Sequence, residues 1–236
     1  MVLRIRVSLP DRPGTLGQVA RTMGVAGADI VQVVVLERLA GRATDDFTVF
    51  WPGTTRVERL LAGLAAIPGV QVLGAWRAMG APTGGGADAE LLAQVAGNTR
   101  DGLATLVDAL PALLAADWAA VAVVPADWAS RPAGDGGQPI LAYASWQAPP
   151  APGLPPVTPL RARVADGQDG WHHAMAPFGR AGLVLVVARG DGAGPLPAAP
   201  FHVTELDRIA QLVRAAAVIL GDRLDLVGAA SSAIQR

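Results

Sequence analysis

The stretch LPDRPGTLGQVA at residues 9–20 decides the fold of the N-terminal part of this chain. Before it, apolar and polar residues alternate, which predicts a half-buried strand that ends at Pro10. The apolar positions of that strand are Leu3, Ile5, Val7 and Leu9. From Leu16 onwards, apolar residues recur at helical spacing, at Leu16, Val19, Ala20 and Met23. Residues 11–14 of the stretch are therefore a tight turn between a strand and a helix.

The residues that follow, up to residue 78, predict two strands, a helix and a last strand. Residues 30–39 and 43–51 favour a hairpin of strands around a Gly-Arg turn. A second helix carries Val57, Leu60, Leu61 and Leu64, and residues 70–76 form the last strand. The predicted order is βαββαβ within residues 1–78, which indicates an α+β domain.

A second domain is predicted after a change in composition. Residues 79–87 contain Gly, Pro and Thr without periodicity, which indicates a linker. Residues 88–228 form the second domain, and residues 229–236 a tail. Six prolines between residues 147 and 159 predict a long surface loop. The elements predicted in this domain are a helix at 89–114, strands at 118–124, 140–146, 171–176 and 182–189, and a final helix at 204–227.

Composition excludes several classes of protein. Nineteen basic and twenty acidic residues give a net charge of −1 with no basic run, so a nucleic-acid or anionic-membrane surface is not expected. Cysteine is absent, which removes disulfides, thiolate nucleophiles and cysteine-ligated zinc. Arg4 and Arg6 interrupt the apolar residues at the N-terminus, so a signal peptide is not expected and we predict a cytoplasmic protein.

The candidates for catalysis are few. His172 and His173 are adjacent on a predicted strand, so their side chains point to opposite faces and do not share a metal ion. The Gly-rich run at 84–86 lacks the Lys-Ser/Thr ending of a phosphate-binding loop. We therefore expect neither an enzyme nor a bound metal or cofactor. The competing hypothesis is an enzyme that acts in the second domain with His172, His173 and Tyr143.

A resemblance to a known family rests on the same turn. The run LPDRPGTL at residues 9–16, followed by Val19 and by GADI at 27–30, resembles the signature of the ACT domain, a small-molecule regulatory module of amino-acid metabolism. The resemblance covers about residues 1–78. It implies a ferredoxin-like sheet and an amino-acid ligand held at the turn and at a dimer interface. The ligand-binding residues that it implies are Asp11, Arg12, Pro13, Gly14, Thr15, Leu16, Asp29 and Ile30.

The chemistry implied for this site follows from the helix that starts there. Unpaired amides and the helix dipole attract a ligand carboxylate, and Gly14 lets it approach closely. Asp11 and Asp29 stand where the family places polar side chains on the ligand, and as carboxylates they could hold its α-ammonium group. The alternatives are a helix cap for Asp11 and a turn residue for Asp29. Family members often carry Asn here, so two carboxylates change the preferred ligand or abolish binding.

Residues 88–228 are similar to a GAF domain. The similar parts are the strands at 118–124 and 140–146, the run GLVLV at 182–186, Phe201, and the Glu-Leu pair that opens the final helix at 205. The resemblance implies a central antiparallel sheet flanked by N- and C-terminal helices. The proline-rich stretch replaces the usual pocket helix, which leaves ligand binding by this domain open. The final helix is apolar on two sides, so it either packs in a bundle or joins two subunits.

Together these patterns predict a regulatory homodimer that senses a small molecule, expected to be an amino acid. No catalytic or DNA-binding unit is predicted after the second domain, so the signal would pass to a partner protein, for example an enzyme. The alternative is an assembly module that dimerises without a ligand.

Overall fold

A computed structural model describes residues 1–52, 56–80, 86–124, 139–157, 160–167, 170–180, 182–190 and 197–233. These residues form an α+β protein with two antiparallel sheets, of four and five strands, and six helices. The α+β class predicted from the sequence is confirmed. Contacts divide the chain into two compact units, residues 1–82 with 190–199, and residues 83–189 with 200–236.

The first unit has the predicted βαββαβ order. Its sheet is antiparallel, with the strands in the order β2-β3-β1-β4. The elements are β1 (Val2–Pro10), α1 (Thr15–Val25), β2 (Asp29–Leu39), β3 (Arg42–Phe50), α2 (Val57–Ala65) and β4 (Gln71–Arg77).

One face of this sheet makes the core of the first unit with the two helices. The alternation in β1 places its four apolar side chains on that face, and the helical spacing in α1 directs Val19 and Met23 towards them. Phe47 and Val49 of β3 and Leu60 and Leu64 of α2 complete the cluster. Removal of this apolar surface from water stabilises the unit.

Residues 197–199 contact the edge strand β4. The amide of Ala75 donates to the carbonyl of Pro197 at 3.3 Å. A Cβ at Gly74 would lie 2.6 Å from the amide nitrogen of Ala199, so only glycine allows this approach. Trp76 packs with Ala198 and Ala199. The sequence interpretation treats this segment as a loop of the second domain, and no periodic pattern predicts its return.

The second unit surrounds the five-stranded sheet, whose strand order is β6-β5-β9-β8-β7. Neighbouring strands are antiparallel, as predicted. The elements are α3 (Ala87–Gly97), α4 (Gly102–Leu114), β5 (Trp118–Val123), β6 (Ile140–Ala144), β7 (Arg163–Asp166), β8 (His172–Pro177), β9 (Leu183–Arg189), α5 (Val203–Leu220) and α6 (Arg223–Ala233).

Two predicted helices of this unit are each broken in two. The helix predicted at 89–114 stops at Gly97, where Asn98 leaves helical geometry and its side-chain amide donates to Asp101 at 2.9 Å. The helix predicted at 204–227 stops at Gly221, whose φ is 53°. Apolar spacing continues across both breaks, so periodicity alone does not show them. Strand β7 was not predicted, because four residues are too short for a clear alternation.

The two faces of the second sheet are covered differently. Helices α3, α4 and α5 contribute to the large apolar cluster on one face. On the other face, Ala148, Leu154 and Val157 of the proline-rich segment pack against the cluster around Trp118 and Met175. The predicted surface loop is therefore also a cover for the sheet. None of the described helices has the length and apolarity needed to cross a membrane.

Candidate functional site

The turn after β1 is held by its own backbone. The amide of Arg12 donates to the carbonyl of Pro10 at 2.9 Å, and the amide of Thr15 donates to the carbonyl of Arg12 at 3.3 Å. Gly14 has a φ of 91° and is the N-cap residue of α1. Only glycine adopts this backbone without steric cost, so the Pro-Gly pair fixes the point at which the helix starts.

The N-terminus of α1 carries open hydrogen-bond donors. No side chain caps the helix, so Asp11 is not its cap, and the first turn contains no acidic residue. Gln18 donates its amide to the Gly14 carbonyl at 3.1 Å, whereas the amides of Leu16 and Gly17 meet no acceptor among the described residues. These donors lie at the positive end of the helix dipole and suit a carboxylate.

Asp11 joins this turn to the hairpin between β2 and β3. Its amide donates to the carbonyl of Gly41 at 2.9 Å. Its carboxylate oxygen Oδ1 lies 3.9 Å from Nε of Arg38, which is beyond hydrogen-bond distance. Both side chains are exposed, 39% for Asp11 and 66% for Arg38. A carboxylate and an exposed guanidinium therefore lie at the turn that leads into α1.

Asp29 and Ile30 lie at the other end of the sheet. Asp29 pairs with Phe50, which pairs with Val2, whereas the turn end of the sheet is marked by the pair of Pro10 with Arg42. Eight residues of β3 separate these two rows, or about 26 Å at the usual rise of a strand. Within one chain, six of the eight implied residues share the turn, and Asp29 and Ile30 are not brought to it.

Asp45, which is not among the site residues predicted from the sequence, lies on β3 three residues from Arg42, the partner of Pro10. Asp45 pairs with Val7 of β1 and with Val35 of β2. It shares the helix-covered face of the sheet with Ala43 and Phe47. The residue is 2% exposed, and its Oδ1 accepts no hydrogen bond from the described residues. Burial raises the pKa of the Asp45 carboxyl, and the positive charge of Arg38 opposes the rise.

A signal for Asp45 was available in the sequence. Residues 43, 45, 47 and 49 are Ala, Asp, Phe and Val, so the alternation places one carboxylate at a core-facing position. Its neighbour Asp46 faces the other side and accepts two hydrogen bonds from Arg6, from Nε at 2.6 Å and from Nη2 at 2.8 Å. Asp46 is thus satisfied by the fold.

The two adjacent histidines of the second unit face opposite sides, as the strand pattern predicts. Nδ1 of His172 lies 2.7 Å from Oδ1 of Asp166. His173 is buried beside Trp118, and neither ring nitrogen has a hydrogen-bond partner among the described residues. Burial lowers the pKa of His173. The described residues contain no group of three His, Asp or Glu side chains that could hold a metal ion.

Tyr143, the third candidate of the enzyme hypothesis, donates its hydroxyl to Asp108 at 2.8 Å. Burial and this hydrogen bond raise the pKa of Tyr143 to about 12. A phenol with this pKa is protonated at neutral pH, where it serves as the hydrogen-bond donor to Asp108.

Comparisons with protein-family models and with curated proteins assign no family to this chain. No protein-family model matches the chain, and no curated protein matches it either.

Proposed function

We propose that this protein is a regulatory, non-catalytic binder of an amino acid. In this proposal the first unit acts as an ACT domain with a ferredoxin-like sheet, and the ligand binds at the turn between β1 and α1. The observation that carries the proposal is the uncapped start of α1, where the amides of Leu16 and Gly17 have no acceptor in the described chain and the carboxylate of Asp11 stands nearby.

This arrangement complements the two charges of a free amino acid. The α-carboxylate would accept hydrogen bonds from the open amides, where the helix dipole also favours a negative charge. The α-ammonium group would donate to Asp11, a charge-assisted contact that is stronger than one between neutral groups. Gly14 has no side chain, and nothing lies within 4 Å of where its Cβ would be, so the ligand can approach the backbone.

The edge strand β2 offers the surface for a second copy of the chain. Among the described strands β2 pairs only with β3. Its residues Val31, Val33 and Val35 are 38%, 39% and 45% exposed, which makes a long apolar edge. Such an edge promotes strand pairing between chains. We propose that two copies pair through β2 in antiparallel fashion about a twofold axis.

This pairing would complete the ligand site across the interface. An axis through Val34, the middle of β2, places residue 29 of one copy opposite residue 39 of the other. Leu39 pairs with Arg42, which pairs with Pro10 at the turn end of the sheet. Asp29 of the second copy would then stand at the same end as Asp11. The dimer therefore unites two residues that lie far apart within one chain.

The second unit has a relaying role in this proposal. It would act as a GAF-like domain that passes the change in dimer geometry to a partner protein, and the coupling cannot exceed the ligand's difference in affinity for the two geometries. The exposed valines of β2 equally favour a second candidate, an assembly module that dimerises with an empty ligand site. The two candidates differ in whether an amino acid binds.

A thermal-melt screen of the full chain against the twenty amino acids separates these candidates. A ligand at a hundred times its Kd stabilises the folded state by about 2.7 kcal/mol, which is several degrees in Tm. We expect a selective shift that Asp11→Ala and Gly14→Val abolish, and that Asp207→Asn, an exposed change in α5, leaves intact. A dimer by light scattering with no shift for any amino acid would overturn the sensor and leave the assembly module.

Mixing two variants tests whether the site is shared between subunits. Asp11→Ala and Asp29→Ala should each abolish the ligand-induced shift as pure dimers. In a heterodimer of the two, one site keeps Asp11 from one chain and Asp29 from the other, so mixing after unfolding and refolding should restore part of the binding. Binding measured by calorimetry should return only in the mixture. Full binding by pure Asp29→Ala would contradict the shared site.

A further inference from the structure

A buried carboxylate, whose Oδ1 accepts no hydrogen bond from the described residues, lies three strand residues from the turn of the proposed amino-acid site. Asp45 is on the face of β3 that α1 covers, three residues along the strand from Arg42, whose partner Pro10 starts the turn. It is 2% exposed, and no described group donates to its Oδ1. A buried acceptor without a partner raises the free energy of the folded state, so a donor that reached Oδ1 of Asp45 would be strongly favoured.

The charges around Asp45 are unbalanced. The charged groups that act on it are Arg38, Asp11 and Asp46. Asp46 is on the opposite face and is paired with Arg6. Asp11 and Asp45 remain, and the positive charge that acts on Asp45 is that of Arg38, so these three groups carry one negative charge in excess. Arg38 is mostly exposed and makes no hydrogen bond to Asp11 at 3.9 Å, so it can move aside.

We propose that Asp45 is a ligand-binding residue that selects an amino acid with a positively charged side chain, an ammonium or a guanidinium. This inference rests on the proposed function, because it assumes that the α-carboxylate and α-ammonium are held at α1 and Asp11. The side-chain cation would replace the positive charge of Arg38, which acts on Asp45, and would donate to the unpaired Oδ1. The bound ligand would then supply the missing positive charge.

Distance along the sheet favours a long side chain. The row of Asp45 lies about 10 Å from the row of Pro10 at the usual rise of a strand. An extended lysine or arginine side chain together with the side chain of Asp45 covers this span, whereas a short side chain leaves Asp45 without a partner. A long apolar side chain would reach the carboxylate and bury it further without a donor, which is unfavourable.

Pairs of ligands that differ only in charge test this selection with the full chain. We would measure binding of L-arginine against L-citrulline, and of L-lysine against L-norleucine, by calorimetry. A charge-assisted hydrogen bond predicts that the charged member of at least one pair binds about ten to a hundred times more tightly. Asp45→Asn has the same shape without the charge, so it should remove this preference while the neutral member still binds. Asp207→Asn, in α5, removes the same charge elsewhere and should change nothing.

The outcomes separate this inference from the proposed function. If wild-type protein binds neutral amino acids as tightly as their charged counterparts, or if Asp45→Asn keeps the preference, the role of Asp45 is overturned and the amino-acid site stands. If no amino acid of any charge binds the wild-type chain, the proposed function itself fails, and the inference fails with it. The comparison within wild-type protein does not depend on the folding of any variant.

Discussion

Two adjacent carboxylates on opposite faces of strand β3, Asp45 and Asp46, differ in their hydrogen bonds. Asp46 is 1% exposed and accepts two hydrogen bonds from Arg6, whose guanidinium also lies 5.5 Å from the ring centre of Trp76. Asp45 is 2% exposed and receives no hydrogen bond at Oδ1 from the described chain. The two carboxylates are buried to nearly the same degree, whereas Asp46 accepts charge-assisted hydrogen bonds and Oδ1 of Asp45 accepts none from the described residues.

This difference distinguishes a carboxylate that holds two strands together from one that keeps an unused acceptor. On the face of Asp46, the fold uses the charge to hold β1 and β3 together. On the face of Asp45, the carboxylate, the uncapped amides of α1 and the exposed Asp11 all retain bonding capacity. A buried polar group without a hydrogen bond raises the free energy of the folded state. In the proposed function, an amino-acid ligand would supply the missing hydrogen bonds and offset this cost.

The largest expected effect lies on the satisfied face. Asp46→Asn removes the negative charge that accepts two buried hydrogen bonds from Arg6, so the free energy of unfolding should fall by about 3–5 kcal/mol. Urea denaturation at neutral pH measures this. Asp222→Asn is the control, because that carboxylate is 97% exposed and its surface pair with Arg180 should contribute little. A loss no larger than in the control would contradict the structural role of the pair.

A smaller loss of stability is expected at the turn. Gly14→Val places a β-branched residue at a φ of 91°, which should cost about 1–2 kcal/mol because its Cβ crowds the backbone. The first sheet should survive, so circular dichroism should show a native spectrum with a lowered Tm. Gly24→Ala, within α1, is the control, because its φ is not positive and nothing lies within 4 Å of its Cβ position. An unchanged Tm for Gly14→Val would show that the turn adopts another backbone.

The smallest effect is expected for Asp45→Asn without ligand, and it depends on pH. Burial raises the folded pKa above its ordinary value of 3.8, so the cost of the buried charge is fully present above the raised pKa and fades as the pH falls through it. Asn carries no charge. The variant should therefore melt slightly higher than wild type at neutral pH, and the two Tm values should converge towards about pH 4. A variant that melts lower at neutral pH would show that the ionised carboxylate already has a stabilising partner.

Local patterns predicted most of the first unit. Period-two alternation in β1 and β3 and helical spacing in α1 and α2 each favour one element, and the breaking residues Pro10 and Pro68 limit them. The second unit was predicted less well. Apolar spacing runs through Gly97 and Gly221, where a change in backbone direction depends on packing and not on the pattern. The return of residues 197–199 to β4 involves no periodic segment at all.

Local sequence specifies the order of elements in the first unit and the turn at residues 11–14, because these depend on neighbours in the chain. Strand β1 pairs with β3 and strand β5 with β9, which lie far apart in the chain, so the two sheets depend on contacts in space. Only the tertiary structure decided that Asp29 lies far from Asp11, that Asp46 is paired and that Asp45 is not. Pairing between strands decides which side chains are in contact. The sequence of two adjacent carboxylates, Asp45 and Asp46, therefore does not show which groups each of them contacts. The physical reason is that satisfaction of a charge is a property of its surroundings in space.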